Sequence, residues 1–192
     1  MRSRNRLRVC AGLIAALGLI VSTGAEATPP NVKSIFDHMA KLRPLIGTWK
    51  AVIDFHARDG SVNPEAADYL IRPVLDGTYL EWDVTVYPVS NPRTPHSFMI
   101  MTTYNPETQK YDQTYFYSRQ SLRVTETGDF DDARHEYTTV AFVPREDGVR
   151  DESVRTVTRF RDDGHVEYWH YSRYSDEKSP LMNFHATLSR VQ

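Results

Sequence analysis

The sequence predicts an all-β fold: an antiparallel up-and-down β-barrel of about 8–10 strands, preceded by one short N-terminal helix. Three observations predict it. From Ile46 onward the chain breaks into about ten short runs with period-two alternation, separated by turn residues. Only one segment, just before them, carries a helical period. Between the two stands Leu45-Ile46-Gly47-Thr48-Trp49-Lys50, and a Gly-x-Trp opening an up-and-down series points to a barrel closed around a small cavity. A two-sheet sandwich shares the local pattern. Closure has the advantage of removing exposed strand edges.

Residues 1–27 read as a secretory signal rather than as fold. Arg2, Arg4, Arg6 and Arg8 form a basic start, Val9 to Val21 an apolar run short for a bilayer, and Ala25-Glu26-Ala27 an A-x-A-like cleavage site. The expected product is a single domain over residues 28–192, secreted, in all expectation to a bacterial periplasm. The chain's one cysteine, Cys10, leaves with the signal, so the core alone must hold the domain. Removing four arginines and Glu26 from 23 basic and 25 acidic residues leaves 19 and 24, a net charge near −5. That balance argues against nucleic acid as a partner, and against a membrane once the signal is gone.

Ser34 and Asp37 resemble a capping box, with Ile35, Phe36, Met39 and Leu42 at helical spacing and Pro44 as a stop, which predicts a helix over 35–43. Trp49, Ala51, Ile53 and Phe55 then alternate with Thr48, Lys50, Val52 and Asp54, and Arg58-Asp59-Gly60-Ser61 is a turn. Strands follow at 67–75, 78–86, 97–104, 111–118, 121–127, 136–143, 152–161, 165–173 and 182–189. Leu75-Asp76-Gly77, Asn105-Pro106-Glu107-Thr108, Gly128–Asp132, Glu146-Asp147-Gly148 and Asp162-Asp163-Gly164 are the turns between several of them.

Leu42-x-x-Leu45-Ile46-Gly47-Thr48-Trp49, Val74-Leu75-Asp76-Gly77-Thr78-Tyr79-Leu80 and Thr103-Tyr104-Asn105-Pro106 with Tyr111, in this order, resemble a bacterial family of secreted lipocalin-like domains of the calycin type. Fatty-acid-binding proteins and nitrobindins are more distantly similar. The resemblance implies a barrel floor in which Gly47 and Trp49 are covered by a late arginine, here Arg190, through a cation–π contact. It also implies a small apolar or amphipathic ligand. The final strand is similar to that of haem-binding nitrobindins, whose axial histidine falls at Asn183. His185, two residues on, would need a shifted haem, and the apolar set Met182, Phe184, Ala186 and Leu188 is the better inward face. No cofactor is expected.

No catalytic motif is legible: there is no Gly-x-Ser-x-Gly, phosphate loop, H-E-x-x-H or cysteine nucleophile. His165 and Glu167 share a strand face but lack a third metal ligand, and Asp129-Phe130-Asp131-Asp132 lacks the glycine and distal glutamate of a calcium loop, so no metal is expected. An enzyme of isomerase or hydratase type would need an acid–base pair in the cup, such as Glu81 or Asp83 near a histidine. A filled barrel serving protein interaction is the third reading.

The aromatic residues carry the binding expectation. Tyr104, Tyr111, Tyr115, Phe116, Tyr117, Tyr168, Trp169 and Tyr171 fall on nearby strands, either lining a pocket for an amphipathic ligand or coating the exterior. Tyr104, Tyr115, Tyr117 and Trp169 are the candidate contacts. Arg72 joins them as a carboxylate-capturing arginine, because Leu70 and Val74 share its face.

Overall fold

The computed structural model describes residues 32–89, 94–118, 123–144 and 151–191. The expected leader and its boundary at residue 27 lie outside them. Among the described residues one helix, α1 (Val32–Met39), runs into a 3₁₀ turn at Ala40–Leu45 and then into ten strands. These are β1 (Gly47–His56), β2 (Val62–Val74), β3 (Tyr79–Pro88), β4 (His96–Asn105), β5 (Lys110–Tyr117), β6 (Arg123–Asp131), β7 (Glu136–Pro144), β8 (Asp151–Phe160), β9 (Val166–Tyr174) and β10 (Leu181–Arg190). Each pairs antiparallel with its sequence neighbours, and β1 pairs with β10 from Trp49 opposite Arg190 to Phe55 opposite Phe184. That last pairing closes the barrel and excludes the sandwich.

Alternation accounts for the wall. On β1, Trp49, Ala51 and Ile53 are buried while Lys50, Val52 and Asp54 face solvent. On β3, Leu80, Trp82, Val84 and Val86 turn inward. Because pairing partners share a face, this register fixes which side chains of every strand enter the lumen.

The helix, β2 and β6 differ from the sequence expectation, β2 starting at Val62 rather than at residue 67. The helix begins at Val32, upstream of Ser34, and its continuation tightens into the 3₁₀ turn that contains Pro44, whose missing N–H cannot serve an α-helical bond. Gly128, expected in a turn, lies inside β6 opposite Tyr111 and Thr139. A Cβ there would collide with the Thr138 carbonyl, so glycine permits a close approach of β7 rather than a reversal of the chain.

One end of the barrel is sealed. Met39, Leu42 and Leu45 descend from α1 and the 3₁₀ turn into the core, His38 stacks on Tyr104 at 3.7 Å, and the Tyr111 hydroxyl donates to the His38 carbonyl at 2.9 Å. Trp49 completes this floor: its Nε1 donates to the Leu45 carbonyl at 2.7 Å, and the Arg190 guanidinium lies 4.3 Å from its ring centre. Arg190 is held there by donating to the Ile46 and Pro44 carbonyls at 2.6 and 2.7 Å. Gly47, at φ 143°, leaves the space that Arg190 Nη1 occupies.

Candidate functional site

The lumen changes character from floor to mouth. At the floor Trp49, Tyr104, Tyr111 and Tyr137 are buried, Tyr111 and Tyr137 meeting edge to face at 5.2 Å, while Phe130 and Phe160 at its edge are partly buried. At the opposite end, where β1 turns into β2 and β9 into β10, the inward residues Phe55, Glu65, His96, Phe98, His170 and Phe184 are only partly buried, and Tyr117 is exposed. Among the described residues, the inward positions at this end are thus more accessible than the centre of the floor. Phe55 meets Phe184 at 5.2 Å, Phe184 stacks on His170 at 4.9 Å and on Tyr168 at 5.6 Å, and Phe98 meets Tyr117 at 5.9 Å. Arg58 lies over the Tyr174 ring at 3.9 Å and pairs with Glu177, clipping two rim connections together.

Between floor and mouth runs a belt of buried polar groups on β4 to β9. Thr102 Oγ1 donates to Gln113 Oε1 at 3.2 Å, and Gln113 Nε2 donates to the Tyr115 hydroxyl at 2.6 Å. That hydroxyl lies 2.7 Å from the Tyr168 hydroxyl and donates to Glu126 Oε2 at 3.5 Å. The Thr139 and Thr156 hydroxyls also donate to Glu126 Oε2. One assignment satisfies the tyrosine pair: Tyr168 donates to Tyr115, whose own proton points at Glu126.

Glu126 is 1% exposed, and its hydrogen-bond donors are neutral hydroxyls. Burial raises its pKa above the ordinary carboxyl value, opposed by the bonds from Thr139, Thr156 and Tyr115. Burial, with the Glu126 carboxylate next in effect, pushes the phenols of Tyr115, Tyr137 and Tyr168 well up, so all three are neutral at physiological pH. Two further donors on the inner wall, the Tyr137 hydroxyl and Trp82 Nε1, are buried without a hydrogen-bond partner. Nearer the mouth, Glu65 Oε2 is likewise shielded and unpartnered; desolvation raises the pKa of that carboxyl, and His96, facing it from β4, acts in the opposite direction.

The sequence candidates divide between the two faces of the wall. Tyr104, Tyr115 and Tyr117 point inward: Tyr104 into the floor beneath α1, Tyr115 into the polar belt, Tyr117 at the rim. Arg72 does not. It lies on the outer face of β2 beside a half-exposed Leu70 and gives two bonds to Glu81 Oε1, because the inward register of β2 belongs to Ala67, Tyr69 and Ile71. Glu81 and Asp83 are outward as well, since Leu80, Trp82 and Val84 hold the inner positions of β3.

Trp169 is also outside, stacked on His185 at 5.1 Å with the Arg159 guanidinium 5.1 Å from its ring. Together with Tyr171, Val157, Arg134, Arg155 and Glu136 it lines a shallow cleft of about 370 Å³ on the outer face of β7 to β9. Aromatic residues thus occupy both faces of the barrel, and Trp169 belongs to the outer set.

A β-bulge between Met182 and Phe184 alters the expected face of β10. Asn183 and Phe184 both lean inward, Asn183 bonding the Ser172 hydroxyl at 2.8 Å and lying 3.1 Å from His170 Nδ1. Met182, paired with the outward Tyr171, leaves the inner set, and His185 faces out, so it cannot ligate a haem in the cup. Among the described residues no group of three or more histidine, cysteine or carboxylate side chains could hold a metal ion. Asp129 and Asp132 pair instead with Lys110 and Lys41.

Glu126 and Glu65 were missed by sequence reasoning, yet a signal existed. The opposite face of β6 carries Arg123, Thr125, Thr127 and Asp129, so the face shared by Val124, Glu126, Gly128 and Phe130 is the less polar one and must turn inward. Glu65 likewise shares its face with Ala67, Tyr69 and Ile71.

Residues 37–187, from α1 into β10, match a family described as "Protein of unknown function (DUF1579)". The chain belongs to that family. No curated protein matches it. As a DUF1579 member with a closed ten-strand antiparallel barrel, it fits a calycin-like fold, and its candidate site is the inner wall from the polar belt to the rim.

Proposed function

We propose that this protein is an exported, periplasmic barrel that binds one small amphipathic molecule in the open half of its cup, with kinship to lipocalin-like binding proteins. The observation that carries the reading is the gradient of burial along the lumen. Phe55, Phe98, Tyr117 and Phe184 present rings that water still reaches, whereas Tyr104, Tyr111 and Tyr137 at the centre of the floor are buried, the first two against His38 of α1. Accessible inward aromatic surface above a polar belt suits a ligand with an apolar body and a hydrogen-bonding head. Removing about 200 Å² of apolar ligand surface from water would contribute about 5 kcal/mol before the costs of association.

The neutral fluorophore N-phenyl-1-naphthylamine tests this reading. Titrated into the purified protein, it is expected to show saturable one-to-one fluorescence enhancement. Tyr117→Arg, at the rim, should weaken that binding about tenfold or more, a loss of roughly 1.4 kcal/mol. Phe116→Arg, the next residue but on the outer face, should leave it unchanged. Absence of saturable binding, or equal losses in both variants, would overturn the proposal. Cell fractionation tests the location separately: recovery of a full-length 192-residue chain from the cytoplasm would refute export.

A further inference from the structure

We propose that the ligand of the cup is a small organic cation, an ammonium on an apolar body, with its charge held by Glu65 at the mouth. The inference rests on the binding reading above and deepens it. It starts from the sign of the inner wall. Among the described residues, the wall between floor and rim carries two carboxylates, Glu65 and Glu126, and no lysine or arginine; Arg190 sits beneath, over Trp49. Arg72, Arg123, Arg155 and Arg159 are all on the outer face.

Glu65 is the carboxylate placed to meet a ligand. It stands opposite Ile53 and Pro88 near the accessible end, and its Oε2 is shielded from water without accepting a hydrogen bond. A shielded acceptor of this kind is costly until a donor reaches it, and a cationic donor restores most. His96, the titratable group facing it from β4, is related to it electrostatically without a hydrogen bond.

The rest of the mouth suits a cation as well. Phe55, Phe98, Tyr117 and Phe184 offer rings whose quadrupole attracts positive charge. An anionic amphiphile would meet Glu65 there, with His96 and His170 but no lysine or arginine among the described inward residues.

Displacement of the bound naphthylamine by three matched probes tests the inference: octylamine, octanol and octanoate at neutral pH. Octylamine is expected to displace at a concentration about tenfold or more below octanol, the difference of one charge-assisted contact of roughly 1.4 kcal/mol, with octanoate weakest. Glu65→Gln, a partly exposed position, should reduce the amine's advantage over octanol to about threefold or less, and an undiminished advantage would overturn the assignment to Glu65. If the fluorophore binds but octanol or octanoate displaces it as well as octylamine does, the cation inference fails and the binding reading stands. If the fluorophore does not bind, both fail.

Discussion

Truncating Trp49 to alanine tests the floor on which the cup rests. The side chain is 1% exposed, donates one hydrogen bond to the Leu45 carbonyl and carries Arg190 over its ring. Large-to-small truncation of a buried aromatic costs about 3–5 kcal/mol. Within that total the hydrogen bond contributes about 1 kcal/mol, and the cation–π contact about 0.5–1 kcal/mol because Arg190 is exposed. The remainder is lost apolar burial and the cavity left behind. A domain of this size loses about 2–4 °C of Tm per kcal/mol, so the expected fall is roughly 6–20 °C in a thermal melt followed by circular dichroism.

A double-mutant cycle with Arg190→Ala isolates the ring contact. The two carbonyl bonds of Arg190 survive in Trp49→Ala, so a coupling of about 0.5–1 kcal/mol reports the guanidinium over the indole. An unchanged Tm in Trp49→Ala would refute the floor assignment, and zero coupling would refute the contact between the two residues.

Three further outcomes follow from the same geometry. Gly47→Ala should destabilise by about 1–3 kcal/mol in urea unfolding, since its φ of 143° and the Arg190 Nη1 beside it leave no room for a Cβ; a neutral result would contradict that packing. Glu126→Gln keeps the acceptor for Thr139, Thr156 and Tyr115 while removing a titration. The native carboxyl has a raised pKa, so its contribution is fully present below the ordinary value of about 4.3 and is lost as pH rises through the raised one. The phenols of Tyr115, Tyr137 and Tyr168 stay neutral throughout. The Tm of the variant relative to the native protein should therefore rise from pH 4 to pH 8, and a pH-independent difference would show that Glu126 is not desolvated. Arg72→Ala breaks only a surface pair with Glu81 and should change stability by at most about 1 kcal/mol, with fluorophore affinity unaltered; weakened binding would return Arg72 to the site.

The local pattern alone determined much of this protein. Period-two runs between Gly, Pro and Asp turns marked strands whose bounds fall within a few residues of those observed, with β2 and β6 as the larger departures. The Gly47-Thr48-Trp49 segment marked the first strand, whose register places Trp49 opposite Arg190. Such features are short-range: a turn residue or an alternating run specifies its conformation from its own chemistry.

Only the closed barrel decided which face of each strand is inside. Leu70, Arg72 and Val74 on β2, and Trp169 and Tyr171 on β9, are sequence candidates that the barrel turns outward, while the polar Gln113, Glu126, Thr139 and Thr156 are buried inside it. Alternation separates two faces without naming either. Pairing register names them, because each buried side chain obliges its cross-strand partners to share its face around the whole ring. The bulge that turns both Asn183 and Phe184 inward is of the same kind: it is set by how β10 pairs with β9, residues distant in sequence that only closure brings together.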